Sequence, residues 1–217
     1  MKYLVFHHQT RNIEGINFSE ETLQAINLEN RNDEPQILKG FQCITFNLKR
    51  SQVSGAVFDQ LPGIYDIQLA SIPAAKQRGR AGKGKVSIIK SAKLEKACNL
   101  PPRQDQILIL GARGIKDGKN PETGKLWRGI TLDMVDTSME LLNDEQYQSR
   151  GVYVTPESIE GLSLNNCPSL PGWYKPKWEI IRNTKGEELE RLTGITFVEE
   201  FKLEHLINVQ NQPPKAA

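Results

Sequence analysis

Histidine, cysteine and long apolar runs are all scarce in this chain, and each shortage closes off a class of function. Of 217 residues, three are histidines (His7, His8 and His205) and three are cysteines (Cys43, Cys98 and Cys167). The cysteines are odd in number, widely spaced and form no CxxC pair, so reduced thiols are expected rather than a disulfide framework or a zinc site. His7 and His8 are adjacent, and neighbours on a strand face opposite sides, so the two cannot jointly hold a metal ion. The functional alternative makes one of them a general acid or base near neutral pH. No cofactor and no metal are expected. Apolar runs such as ILILGA after Gln106 are too short to cross a bilayer. The N-terminal MKYLVFHHQTRN lacks the apolar region and small-residue cleavage site of a secretory signal. Together these predict a cytoplasmic protein with no membrane partner. HExxH, GxSxG, phosphate-loop and calcium-loop patterns are missing as well. The segment AGKGKVS comes nearest to a phosphate loop, but Val86 follows Lys85 where a hydroxyl is required, and the segment precedes an expected strand instead of opening a helix. No repeat of the solenoid or propeller kind is visible.

What the chain does have is segregated charge. The net charge of +2 hides a segment from Pro73 to Ile130 with 14 Lys and Arg against 4 acids, a net of +10, while the remainder carries 14 bases and 22 acids, a net of −8. Clustered cations focus a field that attracts polyanions, which makes this asymmetry an argument about partners. At 38% hydrophobic the chain can also bury an ordinary core.

The pattern along the chain is mostly β. Lys2 to His7 (KYLVFH) predicts a strand. In NFSEETLQAINLEN, Ser19 as cap, Glu20 and Glu21 in the first turn and a Phe18–Leu23 staple predict a helix of about three turns. ENRNDEP reads as a loop closed by Pro35. FQCITFNL, GIYDIQLASI and KVSIIKSAKL predict strands, the second with Tyr65, Ile67 and Leu69 alternating with polar or small neighbours, as a half-buried antiparallel sheet requires. Pro62 and Gly63 before it suit a tight turn. QILILGARGI and LWRGITLDMV, joined by DGKNPETGK, predict a second protruding hairpin, and KWEIIRNTKGEELERL with its Asn183 to Gly186 turn a third. TGITFVEEFKL adds a strand, TSMELLNDEQYQ a short helix, and the polar NVQNQPPKAA a frayed tail. The expected fold is a β-rich α+β protein, an antiparallel sheet or small barrel with long basic hairpin loops and one or two short helices. One domain is expected over residues 1–210, with a C-terminal subregion starting near 151 and a flexible tail at 211–217.

The candidate site lies on the first two hairpins. In IPAAKQRGRAGKGKVSII, the cations Lys76, Arg78, Arg80, Lys83 and Lys85 sit among three glycines with no acid between them. Glycine lets backbone amides and cations approach phosphates together, and arginine offers a planar fork for bidentate contact. The second hairpin places Arg113, Lys116, Lys119, Lys125 and Arg128 around Trp127, a pattern suited to stacking a base while neighbouring cations hold the backbone. Both hairpins as merely soluble edges, with Trp127 in the core, is the plainer reading, since lysines on edges block unwanted strand pairing. A net of +10 exceeds that need. The third aromatic cluster, PGWYKPKWE with Trp173, Tyr174 and Trp178, suits a stacking platform, a proline-lined interface or a lid over the sheet.

Three functions follow. The first is non-enzymatic binding of single-stranded DNA or RNA, with protein subunits of a larger nucleoprotein complex as further partners, whether in replication, recombination or an RNA-guided complex. The general look is that of the small barrels that bind single strands, the oligonucleotide-binding fold among them, as an analogy of architecture. The second is an assembly or adaptor protein docking its basic loops on an acidic protein partner. The third is a nuclease, using His7 or His8, or a magnesium ion held by Asp133 and Asp136, which three residues apart would share a helix face.

Overall fold

The computed structural model describes residues 1–13, 18–34, 37–73, 85–119, 126–182 and 186–204, with backbone alone for 13, 18–19, 32–34, 116–119 and 126–127. The chain divides into two compact units that interleave in sequence, one formed by Met1–Glu29, Ile44–Asn99 and Glu140–Val152, the other by Asn30–Cys43, Leu100–Met139 and Tyr153–Ala217.

The first unit is built on β1 (Lys2–Ile13), whose apolar Tyr3, Val5 and neighbours demand partners on both sides. β2 (Phe18–Asn27) pairs along one edge of it, and β5 (Cys43–Asn47) lies beyond β2. The other edge of β1 is shared by two strands in succession, β6 (Gly63–Pro73) against Lys2 to Val5 and β10 (Tyr147–Gly151) against His7 to Arg11. β7 (Lys85–Ala97) pairs with β6 as a long hairpin. Tyr3, Val5, Leu23, Ala25, Phe46, Phe58, Tyr65, Ile67 and Ile89 form the core, each fully buried large side chain worth about 1.5–3 kcal/mol.

The second unit repeats the plan. β8 (Ile107–Lys119) is central, β9 (Leu126–Val135) pairs along one edge, and β11 (Val154–Glu160) lies beyond β9. Two strands again share the other edge: β12 (Gly172–Arg182) at Ile107 to Ile109, then β4 (Leu38–Gly40) at Gly111 to Arg113. β13 (Glu188–Glu200) completes a long hairpin with β12, and β3 (Asn32–Glu34) flanks β4. Ile109, Ala112, Ile130, Leu132, Met134, Ile159, Tyr174 and Leu192 are among the core residues.

The correspondence extends to irregularities. The central strand is bulged after Val5 in one unit and after Ile109 in the other. The long hairpins are bulged between Ile64 and Tyr65 and between Gln68 and Leu69, matched by Trp173 and Tyr174 and by Lys177 and Trp178. Each begins in the same words, LPGIY and LPGWY, with a cis Leu–Pro peptide. The Pro62 carbonyl accepts from Cys98 N–H at 2.9 Å and the Pro171 carbonyl from Phe201 N–H at 3.1 Å. The chain is therefore a two-fold internal repeat, outside the solenoid and propeller kinds. Its halves exchange a strand: β4, which lies in sequence between β2 and β5, joins the second sheet, and β10, between β9 and β11, joins the first.

Three expectations are corrected. The helix predicted from Ser19 is strand β2: Glu21, Leu23 and Ala25 alternate with Thr22 and Gln24, and an edge of β1 rich in buried apolar residues outweighs the local capping signals. TSMELLNDEQYQ is irregular up to β10, because Asp136, Asn143 and Asp144 accept backbone N–H bonds from Ser138, Ser149, Gln146 and Tyr147 and fold it into turns. The third concerns the barrel. The first and last strands of each sheet are unpaired with one another, so both sheets are open. In the first unit the segment after β5 reaches β7 in place of β5 itself, with Gln52 N–H donating to the Ile89 carbonyl at 2.9 Å and Ile89 N–H to Ser51 Oγ at 3.0 Å. The ENRNDEP loop also contains the short strand β3. Helical structure includes the 3-10 turns Leu48–Arg50, Gly55–Val57 and Leu164–Asn166.

Candidate nucleic-acid interface

The two basic segments occupy the connections of two antiparallel hairpins. β6 and β7 pair from Gly63 opposite Ala97 out to Pro73 opposite Lys85. Lys85 is exposed at the foot of that connection, while Lys76, Arg78, Arg80 and Lys83 lie outside the described residues. Lys90 and Lys93 extend the cationic surface along β7, both exposed. Lys93 sits opposite Asp66, on the face turned from the core, because its neighbours Ala92 and Leu94 pack against that core. Neither lysine was singled out from sequence, although each contributed to the segment charge.

β8 and β9 pair from Leu108 opposite Val135 to Lys119 opposite Leu126. Arg113 is exposed and, since Ala112 enters the core, points to the opposite face. Arg128 is exposed on β9. The backbones of Lys116, Lys119 and Trp127 belong to the two strands; their side chains, and Lys125 altogether, lie outside the described part. The described site residues thus sit on two separate units, Lys85 on the first and Arg113 and Arg128 on the second.

The groups considered for catalysis have structural partners. Asp133 is on a strand, where it accepts Cys43 N–H at 2.8 Å. Burial raises its carboxyl pKa, countered by that N–H and by the nearby Arg113. Asp136 accepts both the N–H and the hydroxyl of Ser138, at 2.9 and 2.6 Å. The two carboxylates do not share a helix face. Among the described residues no group of three or more His, Cys, Asp or Glu could hold a metal ion.

His7 and His8 are buried, 2% and 3% exposed. Desolvation first, and then the neighbouring His8, lowers the His7 pKa to about 4. His8 is also lowered, by burial and then by Arg150, against the opposing pull of Glu21. Its Nδ1 lies 3.3 Å from an Arg150 nitrogen and its Nε2 3.5 Å from Glu21 Oε2. Arg150 only donates, so Nδ1 accepts and the neutral ring carries its proton on Nε2 toward Glu21. Glu21 in turn accepts Gly55 N–H at 3.1 Å. These contacts bring together β10, β1, β2 and the Gly55–Val57 turn.

The third aromatic cluster is divided between two roles. Trp173 is 2% exposed, with the Arg103 guanidinium 4.4 Å from its ring centre and Phe201 edge-on. Tyr174 is fully buried and donates its hydroxyl to the Ser169 carbonyl at 2.6 Å. Trp178, four residues beyond Tyr174, is 37% exposed. No helix among the described residues is long and apolar enough to cross a membrane. No protein-family model, curated protein or solved structure matches the chain.

Proposed function

We propose that the protein is a non-enzymatic binder of single-stranded nucleic acid, DNA or RNA, acting within a larger nucleoprotein complex. The observation that carries this reading is where the basic segments fall in the strand order. In each unit the five principal strands, counted in chain order, lie in the sheet as third, second, first, fourth, fifth. This is the strand order of the oligonucleotide-binding fold, here left open, whose connections between strands one and two and between strands four and five grip single strands. Lys76 to Lys85 lie on the four-to-five connection of the first unit, and the segment joining β8 to β9 is the one-to-two connection of the second.

Charge supports the same reading through the repeat. The β6–β7 hairpin from Gly63 to Ala97 carries eight Lys and Arg against two acids, while its counterpart from Gly172 to Glu200 carries five against six. A shared fold does not require that difference. Cations held on phosphates release counterions, so affinity for a single strand falls with salt at about −0.7 per contact on a log-log plot.

The test is to replace Lys76, Arg78, Arg80, Lys83 and Lys85 together by serine. Affinity should drop alike across sequences, and the salt slope should flatten by as much as roughly 3.5. An unchanged slope and affinity would remove this loop from the interface, and docking on an acidic protein partner would take its place.

A further inference from the structure

The two halves part where the central strand meets the long hairpin. In the first unit the pairing of β1 with β6 runs on past Tyr3 and Tyr65 to Lys2 and Asp66, and Ile67 N–H then donates to the Met1 carbonyl at 2.9 Å. In the second unit the pairing of β8 with β12 stops at Ile107 and Tyr174. The residue equivalent to Ile67 is Pro176, which has no N–H to donate to the residue equivalent to Met1, Asp105. The ladder cannot continue, and β12 leaves β8 there.

The parting opens a groove of about 440 Å³, lined by Asp105, Gln106, Ile107, Asp136, Ser138, Lys175, Pro176 and Trp178, within the size range of small-molecule sites. The bulge between Lys177 and Trp178 aims the indole. The matching bulge in the first unit aims Leu69, which packs against that unit's core. Where the first unit has a half-buried leucine packed on its core, the second has a tryptophan 37% exposed at a groove, and no aromatic ring among the described residues stacks on it.

The chemistry of the lining narrows the ligand. A free indole face takes a planar ring, and Lys175, exposed at the rim, takes a phosphate. Asp105 and Asp136 are acceptors only, so they favour a ring bearing an exocyclic amine over one presenting carbonyls. We infer that this groove is a nucleobase subsite, stacking an amino-bearing base on Trp178 with its phosphate at Lys175. The inference rests on the nucleic-acid reading above and adds base preference to it.

The experiment measures binding of oligo(dA) and oligo(dT) of equal length to the parent protein, Trp178→Ala, Trp178→Phe and the double variant Asp105→Asn with Asp136→Asn, over a range of salt. Trp178→Ala should bind oligo(dA) about tenfold more weakly with its salt slope unchanged, because stacking releases no counterion. Trp178→Phe, which keeps a ring, should recover most of that loss. The double variant should lose the preference for oligo(dA). Parent-like affinity in Trp178→Ala would overturn the subsite while leaving the nucleic-acid reading standing. A parent protein that binds neither oligonucleotide would overturn both. Far-UV circular dichroism and melting temperature identify a variant that has failed to fold, in which case Trp178→Phe and intrinsic fluorescence quenching decide, quenching that persists in full in Trp178→Phe counting against the site.

Discussion

Tyr65 and Tyr174 make the same hydrogen bond in two halves of one chain: each hydroxyl donates to the carbonyl five residues back, Gln60 at 3.0 Å and Ser169 at 2.6 Å. The glycines two residues before them are held by the same contacts. A Cβ on Gly63 would lie 2.4 Å from the Gln60 carbonyl oxygen and one on Gly172 2.8 Å from that of Ser169. Burial raises both phenol pKa values, so both rings stay protonated donors. Tyr65→Phe and Tyr174→Phe should each cost about 1 kcal/mol in urea unfolding. Equal effects at both positions would mark the two bonds as equivalent parts of the repeat, and a null effect at either would show that its carbonyl finds water instead.

The exchanged strands are each closed by a glycine. Gly40 ends β4 at φ 80° and Gly151 ends β10 at φ 87°. A Cβ would lie 2.5 Å from the Leu110 carbonyl oxygen at Gly40 and 2.0 Å from that of Phe6 at Gly151. Those same carbonyls accept the N–H of the next residue, Phe41 at 3.0 Å and Val152 at 2.9 Å. Gly40→Ala and Gly151→Ala should therefore each destabilise by at least about 2 kcal/mol. Gly161, at φ 81° with nothing within 4 Å, is the control and should cost only about 1 kcal/mol. Thermal melts of the three variants separate a steric clash from backbone strain alone.

Stability should fall in mild acid. His7 has a pKa of about 4 in the folded protein against 6.5 for the free side chain, so between these values the unfolded chain binds a proton that the folded one does not. Stability is full above pH 6.5 and declines as pH falls toward 4, by roughly 3 kcal/mol from His7 in total. The lowered pKa of His8 acts in the same direction. Urea midpoints at pH 7.5 and 4.5 measure the loss. His7→Gln should flatten the dependence, and a parent protein equally stable at both pH values would contradict the burial described.

Separating the halves after Asn99 tests the exchange. Residues 1–99 lack β10 and carry β4 with β3 but without β8, while residues 100–217 lack β4 and carry β10 without β1. Neither fragment alone should give a cooperative melt, and an equimolar mixture should recover one. A cooperative transition in the first fragment by itself would show that β10 is dispensable.

The hairpins were legible because each depends on local signals: period-two alternation in GIYDIQLASI, and turn formers between two β-prone runs. The β2 strand was not, since Ser19, Glu20 and Glu21 satisfy every local rule for a helix start and only the β1 edge, distant in its consequences, decides otherwise. The site was legible as charge but not as position. Cations could be counted from sequence, yet their place on particular connections requires the strand order. The repeat was hidden for a related reason. Outside LPGIY and LPGWY the halves share little wording, and His7 with His8 stand where Gly111 with Ala112 stand, a correspondence visible only in the register of β10 and β4. Trp178 stood out as an aromatic from the start, but the loss of one N–H at Pro176, which gives it a groove to face, has meaning only beside Ile67.

The exchange also sets an order of events on the ribosome. A protein made of two successive domains can finish the first while the second is still being synthesised. Here the first sheet stays without β10 until Gly151 has been translated, by which time β8 and β9 are already available to take up the waiting β4. The edge of β1 from His7 to Arg11 is thus exposed to chance pairing until β10 is made, partway through the second half, and the edge guarding normally done within a domain falls in that interval to whatever binds the nascent chain.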